Sequence, residues 1–179
     1  MHVFNAFMNG ITCADEVRNI MEADETKEMA RFDPKYFTRK RLMPFVKILS
    51  FMLNPAKESL QTKLNRFFKL IGKKSMQIRH QSFSKARSHF DHSPFEKIVR
   101  RLVSLEYGGD FPLPTWNGRY IFGIDGSTAI LPPSLELKDE YGVIKNQSEK
   151  ESICAKISIL CDVLHDWILD ALPAAGRLN

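Results

Sequence analysis

The residue of this sequence with the clearest chemical potential is an aspartate at the end of a hydrophobic run. Asp125 follows the run 121–124 and precedes Gly126, Ser127 and Thr128. A carboxylate that a strand holds rigidly beside a turn suits a divalent metal ion, and Gly126 leaves room for a metal or a substrate to approach. Ser127 and Thr128 could orient the carboxylate. Asp125 is therefore a candidate catalytic residue and metal ligand, and the alternative is a turn aspartate that only binds the backbone.

Other side chains that could ligate a metal have simpler interpretations. Asp162, Asp166 and Asp170 fall in or between predicted strands, where solvated carboxylates are the ordinary explanation. His89 and His92 are three residues apart but lie just before a helix start, so we interpret them as part of a surface turn. The three cysteines lack C-x-x-C spacing and are too few for a disulfide scaffold, which argues against a structural zinc site and a secreted mini-domain.

The basic residues are concentrated in one part of the chain. Residues 35–101 contain 17 Lys and Arg against 3 acids, whereas the rest contains 9 against 18, and the whole carries a net charge of +5. Such segregation creates a local positive field that the net charge conceals. Nucleic acid is the expected polyanion, because each neutralised phosphate releases a condensed counterion. The alternatives are a solvated basic surface and, more weakly, contact with a membrane surface.

Length and composition limit the class of protein. The chain has 179 residues, of which 44% are hydrophobic and 26% charged. These are ordinary globular values for about one domain and exclude wholesale disorder. The longest apolar stretch, 42–53, is too short to cross a bilayer and contains Lys47, and the N-terminus lacks a secretory signal. We expect a soluble, cytoplasmic protein that has no membrane partner.

The first half of the chain is predicted to be helical. Residues 1–34 indicate an acidic helical lead-in, and helices are expected over 44–53, 57–71 and 82–90. A further helix is expected to begin at Ser93, with Pro94 in its first turn and Glu96 closing a capping box. Residues 35–110 therefore form a predicted basic helical region.

Alternation of apolar and polar residues replaces this pattern after residue 110. Residues 119–131 predict a strand, and 156–172 predict two strands joined by a tight turn near His165 and Asp166, with Pro173 ending the second. Residues 132–150 are predicted as a loop with a short helical piece. Three strands without covering helices indicate an α+β chain whose second domain, 111–179, is incomplete.

Several of these segments together resemble a known family. Residues 119–133 (RYIFGIDGSTAILPP) are similar to the first catalytic block of bacterial insertion-sequence transposases of the DDE type, in the family named after insertion sequence four. Residues 159–171 resemble the β-hairpin that follows in those proteins. Upstream, 37–47, 59–68 and 81–87 are similar to their helical, DNA-engaging region.

The resemblance implies a fold, a chemistry and a set of residues. It implies an RNase H-like domain in which two Mg²⁺ ions, held by Asp, Asp and Glu, promote cleavage and strand transfer in DNA transposition. Asp125 matches the first carboxylate. The other two are expected beyond residue 179, so we expect a truncated chain that does not hold Mg²⁺ stably and is inactive alone. The expected partners are transposon-end DNA and a full-length transposase or a second copy. The implied phosphate contacts are Arg39, Lys40, Arg41, Lys63, Arg66, Lys69, Arg79, Lys85 and Arg87.

Two other functions remain open from the sequence. The helical region could act without catalysis, as a DNA-binding repressor or a dominant-negative partner of a complete transposase. It could also be an unrelated helical module whose basic surface binds an acidic protein. Salt-dependent DNA binding separates the first of these from the second, and Mg²⁺-dependent cleavage that is lost in Asp125→Asn identifies an enzyme.

Overall fold

The structure divides the chain into a helical unit and a sheet unit. This computed structural model describes the backbone except at residues 1, 39–41, 55–56, 74–77, 109–112, 146–150 and 176–179, and the side chains from residue 12 onward outside those gaps, except at 145 and 175. The first unit is Met1–Leu102 and the second is Val103–Asn179. The coarse α+β class predicted from the sequence is confirmed by this combination of helices and antiparallel strands.

The described residues before residue 108 form six helices. Their bounds are α1, His2–Glu22; α2, Asp24–Met29; α3, Phe45–Leu53; α4, Leu60–Leu70; α5, His80–Arg87; and α6, Ser93–Tyr107. The predicted helices over 44–53, 57–71 and 82–90 are confirmed as α3, α4 and α5, with shifted ends. Within the described residues, no helix is both long and apolar enough to cross a membrane.

Aromatic side chains form the core of the helical unit. The ring of Phe51 on α3 lies 4.6 Å from that of Phe83 on α5 and 5.5 Å from that of Phe67 on α4, both edge to face. Phe51, Phe68 and Phe83 are each at most 2% exposed. Edge-to-face pairs of this kind are favoured by the ring quadrupoles, so one cluster joins α3, α4 and α5.

The ends of α4 follow from its sequence. The Ser59 hydroxyl accepts a hydrogen bond from the Thr62 N–H at 3.3 Å, which caps the first turn and places the helix start later than predicted. At the other end, Gly72 adopts φ 75°, and the Lys73 N–H donates to the Phe68 carbonyl at 2.9 Å. Glycine takes this left-handed conformation without strain, so α4 ends within one residue of the limit predicted for the helix over 57–71.

The start of α6 differs from the predicted capping box. Asp91, not Ser93, supplies the cap: its Oδ1 accepts the Ser93 N–H at 2.8 Å and also the Ser93 hydroxyl. Glu96 instead lies 3.1 Å from Nε2 of His92. The predicted capping box is wrong because Asp91 accepts the Ser93 N–H that Glu96 was expected to accept, and the Ser93 hydroxyl donates to the same Asp91 carboxylate.

The sheet unit contains four described strands and one short helix. Their bounds are β1, Phe122–Ile130; α7, Leu135–Tyr141; β2, Val143–Lys145; β3, Glu151–Asp162; and β4, Trp167–Ala175. β3 pairs antiparallel with β1, β2 and β4, so it is the central strand. β1 pairs with β3 over its whole length, from Phe122 opposite Asp162 to Ile130 opposite Cys154.

Two strand predictions need correction. β2 falls in the segment predicted as a loop with a helical piece, because a three-residue strand is too short to give an alternating pattern. β4 continues through Pro173, which was expected to end it. Proline is tolerated there because β4 pairs with β3 alone among the described strands, and an edge strand does not need every N–H for pairing. The tight turn between β3 and β4 is confirmed, with Asp166 at φ 55°.

Candidate nucleic-acid interface and carboxylate site

Exposed basic side chains lie at the end of α4 and at both ends of α5. Lys69 closes the last turn of α4, Arg79 precedes α5, and Lys85 and Arg87 occupy the last turn of α5. All four side chains are exposed. None forms an ion pair with another described residue, so their charges are available to an external anion. Three further predicted phosphate contacts, Arg39, Lys40 and Arg41, lie outside the described residues.

Two other predicted contacts are engaged within the unit. Nη1 of Arg66 lies 2.8 Å from Oε1 of Glu58, with both side chains partly exposed. Nζ of Lys63 lies 4.6 Å from the centre of the Phe51 ring, within the range of a cation–π contact. The partly exposed Arg66–Glu58 pair stabilises by about 1 kcal/mol or less, so Arg66 can exchange it for a phosphate at small cost. Lys63 lies against the buried ring of Phe51 and would give up a stronger contact.

A single glutamine fixes the start of α5 against α4. Nε2 of Gln61, in the first turn of α4, donates to the Ile78 carbonyl at 3.0 Å, and its Oε1 accepts the His80 N–H at 2.9 Å. The His80 N–H has no intrahelical acceptor, because it belongs to the first turn of α5. The Gln61 amide therefore caps α5 from a neighbouring helix and sets the spacing of the two basic helices.

Lys47 is a functional candidate that the sequence did not single out. It lies on α3, half-buried, and burial together with the nearby Lys73 ammonium lowers its pKa below the ordinary value. Two neighbouring lysines repel each other unless an anion lies between them. Both lysines count toward the basic charge of residues 35–101, but the sequence does not show that they are neighbours. The end of α4 at Gly72 brings Lys73 back toward α3.

Asp125 lies on β1 opposite Ile159 of β3, and its side chain is exposed. Its Oδ1 accepts the N–H of the next residue, Gly126, at 2.8 Å. A Cβ added at Gly126 would have no atom within 4 Å, so there is open space next to the carboxylate. Asp125 therefore makes a backbone contact, and the space beside it can still admit an approaching group.

The described residues do not fit a magnesium pair. They contain no group of three or more His, Cys, Asp or Glu placed to hold a metal ion. Asp170 on β4 uses its Oδ1 to accept the Ala171 N–H at 2.9 Å, and Asp166 lies in the β3–β4 turn. One carboxylate supplies too few oxygen ligands for a Mg²⁺ site, and we derive no metal-dependent step from these residues.

Asp162 is the residue that the sequence interpretation misjudged most. It was expected to be solvated, yet it is 1% exposed at the end of β3. The Tyr107 hydroxyl donates to its Oδ2, the Leu164 N–H donates to its Oδ1 at 2.9 Å, and Nδ1 of His165 lies 2.9 Å from Oδ2. Both ring nitrogens of His165 are buried without a hydrogen-bond partner among the described residues, so the Nδ1–Oδ2 approach is a close contact and not a hydrogen bond. Burial of Asp162 is tolerated because the Tyr107 and Leu164 donors replace water.

The charges in this cluster follow from its contacts. Burial opposes ionisation of Asp162, but the hydrogen bonds from Tyr107 and Leu164 and the nearby His165 ring outweigh it and hold the pKa of Asp162 below its ordinary value. Burial and the neighbouring Asp162 carboxylate raise the pKa of Tyr107 well above its ordinary value. Tyr107 thus remains a hydrogen-bond donor, and Asp162 an acceptor, throughout the neutral range.

Comparison of the chain with protein-family models, with curated proteins and with solved structures finds no match. The resemblance of the sequence motifs to DDE transposases therefore stays a prediction.

Proposed function

We propose that the chain is a DNA-binding protein of the DDE transposase type. In this proposal the helical unit holds the phosphate backbone of the transposon end, and the sheet unit contributes the first carboxylate, Asp125, of an RNase H-like active site. The observation that carries the proposal is the set of exposed cations on α4 and α5 that have no acidic partner among the described residues. Four supporting positions are Lys69, Arg79, Lys85 and Arg87.

The arrangement of the sheet unit supports the second half of the proposal. An antiparallel sheet with β3 between β1 and β4 is compatible with the first strands of the domain that the resemblance implies. Asp125 lies exposed on β1, where the family's first carboxylate is expected. Since no second acid lies beside it among the described residues, this chain is expected to bind DNA without completing strand transfer alone.

One observation favours a second candidate, a non-enzymatic repressor or dominant-negative partner. Oδ1 of Asp125 accepts the Gly126 N–H, which is the ordinary role of an aspartate that only binds the backbone. A protein of this kind would retain the basic helices and occupy transposon ends without cutting them.

A salt titration of DNA binding tests the proposal. Fluorescence anisotropy of a labelled duplex is measured with the full chain over a series of salt concentrations. We expect a log–log slope of about −5 or steeper, because each phosphate contact contributes about −0.9 to the slope. A flat slope or no binding would exclude both DNA-binding functions and favour an acidic protein partner for the helical unit.

Substitutions locate the contacts. Lys69→Gln, Lys85→Gln and Arg87→Gln should each make the slope less steep by about 1. Arg119→Gln is the matched control, because Arg119 is exposed but lies outside the basic region, and it should leave the slope unchanged. Cleavage of the duplex with Mg²⁺, lost in Asp125→Asn, would identify an enzyme, and binding without cleavage would identify the non-enzymatic candidate.

A further inference from the structure

The outer edge of β1 carries unpaired backbone groups. At the two ends of the β1–β3 ladder, the Leu131 N–H donates to the Ile153 carbonyl at 2.8 Å, and the Val163 N–H donates to the Ile121 carbonyl at 2.9 Å. Odd-numbered residues of this strand therefore bond to β3. Because the direction alternates along an antiparallel strand, the N–H and C=O groups of residues 122, 124, 126, 128 and 130 point away from β3.

The same residues carry an exposed apolar stripe. Successive side chains of a strand point to opposite faces, so Phe122, Ile124 and Ile130 share one face. They are 51%, 80% and 79% exposed. An edge strand that offers both free backbone groups and apolar side chains is a template for a further strand.

The other edge of the sheet is protected. β4 contains Pro173, which has no N–H, and the Asp170 carboxylate covers the Ala171 N–H. Its pairing with β3 is also interrupted by a register shift between Leu160 and Cys161. Prolines, charged side chains and bulges are the usual means of blocking an edge strand. On β1 the only comparable contact, among the described residues, is that of Asp125 with the Gly126 N–H.

We propose that β1 pairs with β1 of a second copy of this chain, antiparallel and centred on Gly126. A twofold axis at Gly126 places Phe122 opposite Ile130 of the second copy, and Ile124 opposite Thr128. Aromatic and β-branched residues form favourable cross-strand pairs. All outward N–H and C=O groups of β1 then find partners, and the apolar stripe of one copy continues into that of the other.

Charge disfavours the adjacent register, in which the axis lies at Asp125. With the axis at Gly126, Asp125 lies opposite Ser127 of the second copy, whose hydroxyl can donate to the carboxylate. Moving the axis by one residue to Asp125 would place the two aspartates opposite each other, and like charges in that position are destabilising. The Gly126 N–H exchanges its contact with Asp125 for a carbonyl of the second strand. This pairing depends on the geometry of β1 and not on the proposed DNA function.

Disulfide trapping tests the register in the full chain. Gly126→Cys places a thiol at the axis, where the two Cα atoms are about 5.5 Å apart, within the range of about 4.4–6.8 Å that a disulfide spans. No neighbouring atom obstructs a side chain at Gly126. Thr128→Cys is the matched control, because it faces Ile124 of the second copy and lies about 13 Å from its own counterpart. The unsubstituted chain, which keeps its native cysteines, sets the background.

We expect mild oxidation to give a covalent dimer of Gly126→Cys and only background dimer of Thr128→Cys. Equal trapping of both variants, or of neither, would overturn the proposed register. Light scattering after size-exclusion chromatography, over a concentration series, gives the association of the unsubstituted chain. A monomer at every concentration would overturn the proposal as a whole.

A charged substitution separates the two edges. Ile124→Lys on β1 should weaken the dimer roughly tenfold or more, because it places a lysine on the paired edge. Ile168→Lys on β4, where Ile168 is 56% exposed, should leave the dimer unchanged. Tryptophan fluorescence verifies that both variants keep the folded sheet unit. Equal weakening by both variants would assign association to a surface other than the β1 edge.

Discussion

Removing the Tyr107 hydroxyl tests how the sheet unit is stabilised. Tyr107→Phe keeps the ring and deletes the donor to Asp162, a carboxylate that is 1% exposed. Water cannot easily replace the donor at such a depth. A hydrogen bond to a charged group contributes about 1.5–3 kcal/mol, so we expect the free energy of unfolding to fall by about 2 kcal/mol.

Urea denaturation followed by tryptophan fluorescence measures this loss directly. The two tryptophans of the chain, Trp116 and Trp167, both belong to the sheet unit, so the signal reports on that unit. Tyr120→Phe is the matched control: its side chain is half-exposed, its ring lies 6.0 Å from that of Tyr107, and the change should cost less than about 0.5 kcal/mol. Equal losses in the two variants would refute the assigned role of the Tyr107–Asp162 contact.

The pH dependence gives a second, independent measure. Burial and the Asp162 charge raise the folded-state pKa of Tyr107 above the unfolded-state value of about 10. The stability linked to this group is therefore complete below pH ~10 and is lost as the pH rises from there through the folded-state pKa. Tyr107→Phe should lack this alkaline loss, and a variant that kept it would place its origin in another group.

The remaining predictions concern three other contacts. Gln61→Ala should lower the unfolding free energy of the helical unit by about 1–3 kcal/mol, measured by circular dichroism in urea. It should also weaken DNA binding, measured by anisotropy. Unchanged values of both would contradict the capping role of Gln61. Hydrogen bonds lower the folded-state pKa of Asp162. The stability that this carboxylate contributes is therefore present above about pH 4 and lost at lower pH. Asp162→Asn should remove this acid dependence in thermal melts followed by fluorescence. Gly123→Ala should destabilise more than Gly126→Ala in urea, since its Cβ would lie 3.1 Å from Cγ2 of Val163.

The helices of the first unit were predictable because local signals define them. The apolar spacing of α3 and α4 and the stop at Gly72 are features of neighbouring residues, and the structure confirms them. The cap of α6 was not predictable, because Asp91 and Glu96 both offer a carboxylate to the Ser93 N–H and only the folded geometry decides between them.

The buried carboxylate of the sheet unit could not be found from local pattern. Asp162 is 55 residues from Tyr107 in the sequence, and a strand pattern does not reveal a donor so distant. The sequence Asp162-Val-Leu-His165 contains the only signal, an acid and a histidine three residues apart at a turn. The exposure of Asp125 does not follow from the alternation of β1, because Phe122, Ile124 and Ile130 on the opposite face are exposed as well. Its contact with the Gly126 N–H depends on a rotamer.

In the proposed DNA-binding function, the pair formed by Lys47 and Lys73 would couple anion binding by the helical unit to the uptake of a proton. Burial and mutual repulsion lower the pKa of Lys47 in the free protein, and a phosphate placed beside both ammonium groups would raise it again. Binding would then take up a proton, so the affinity for DNA would increase as the pH falls from the alkaline range. Calorimetry in buffers of different ionisation enthalpy would therefore detect a DNA contact at this pair as proton uptake on binding.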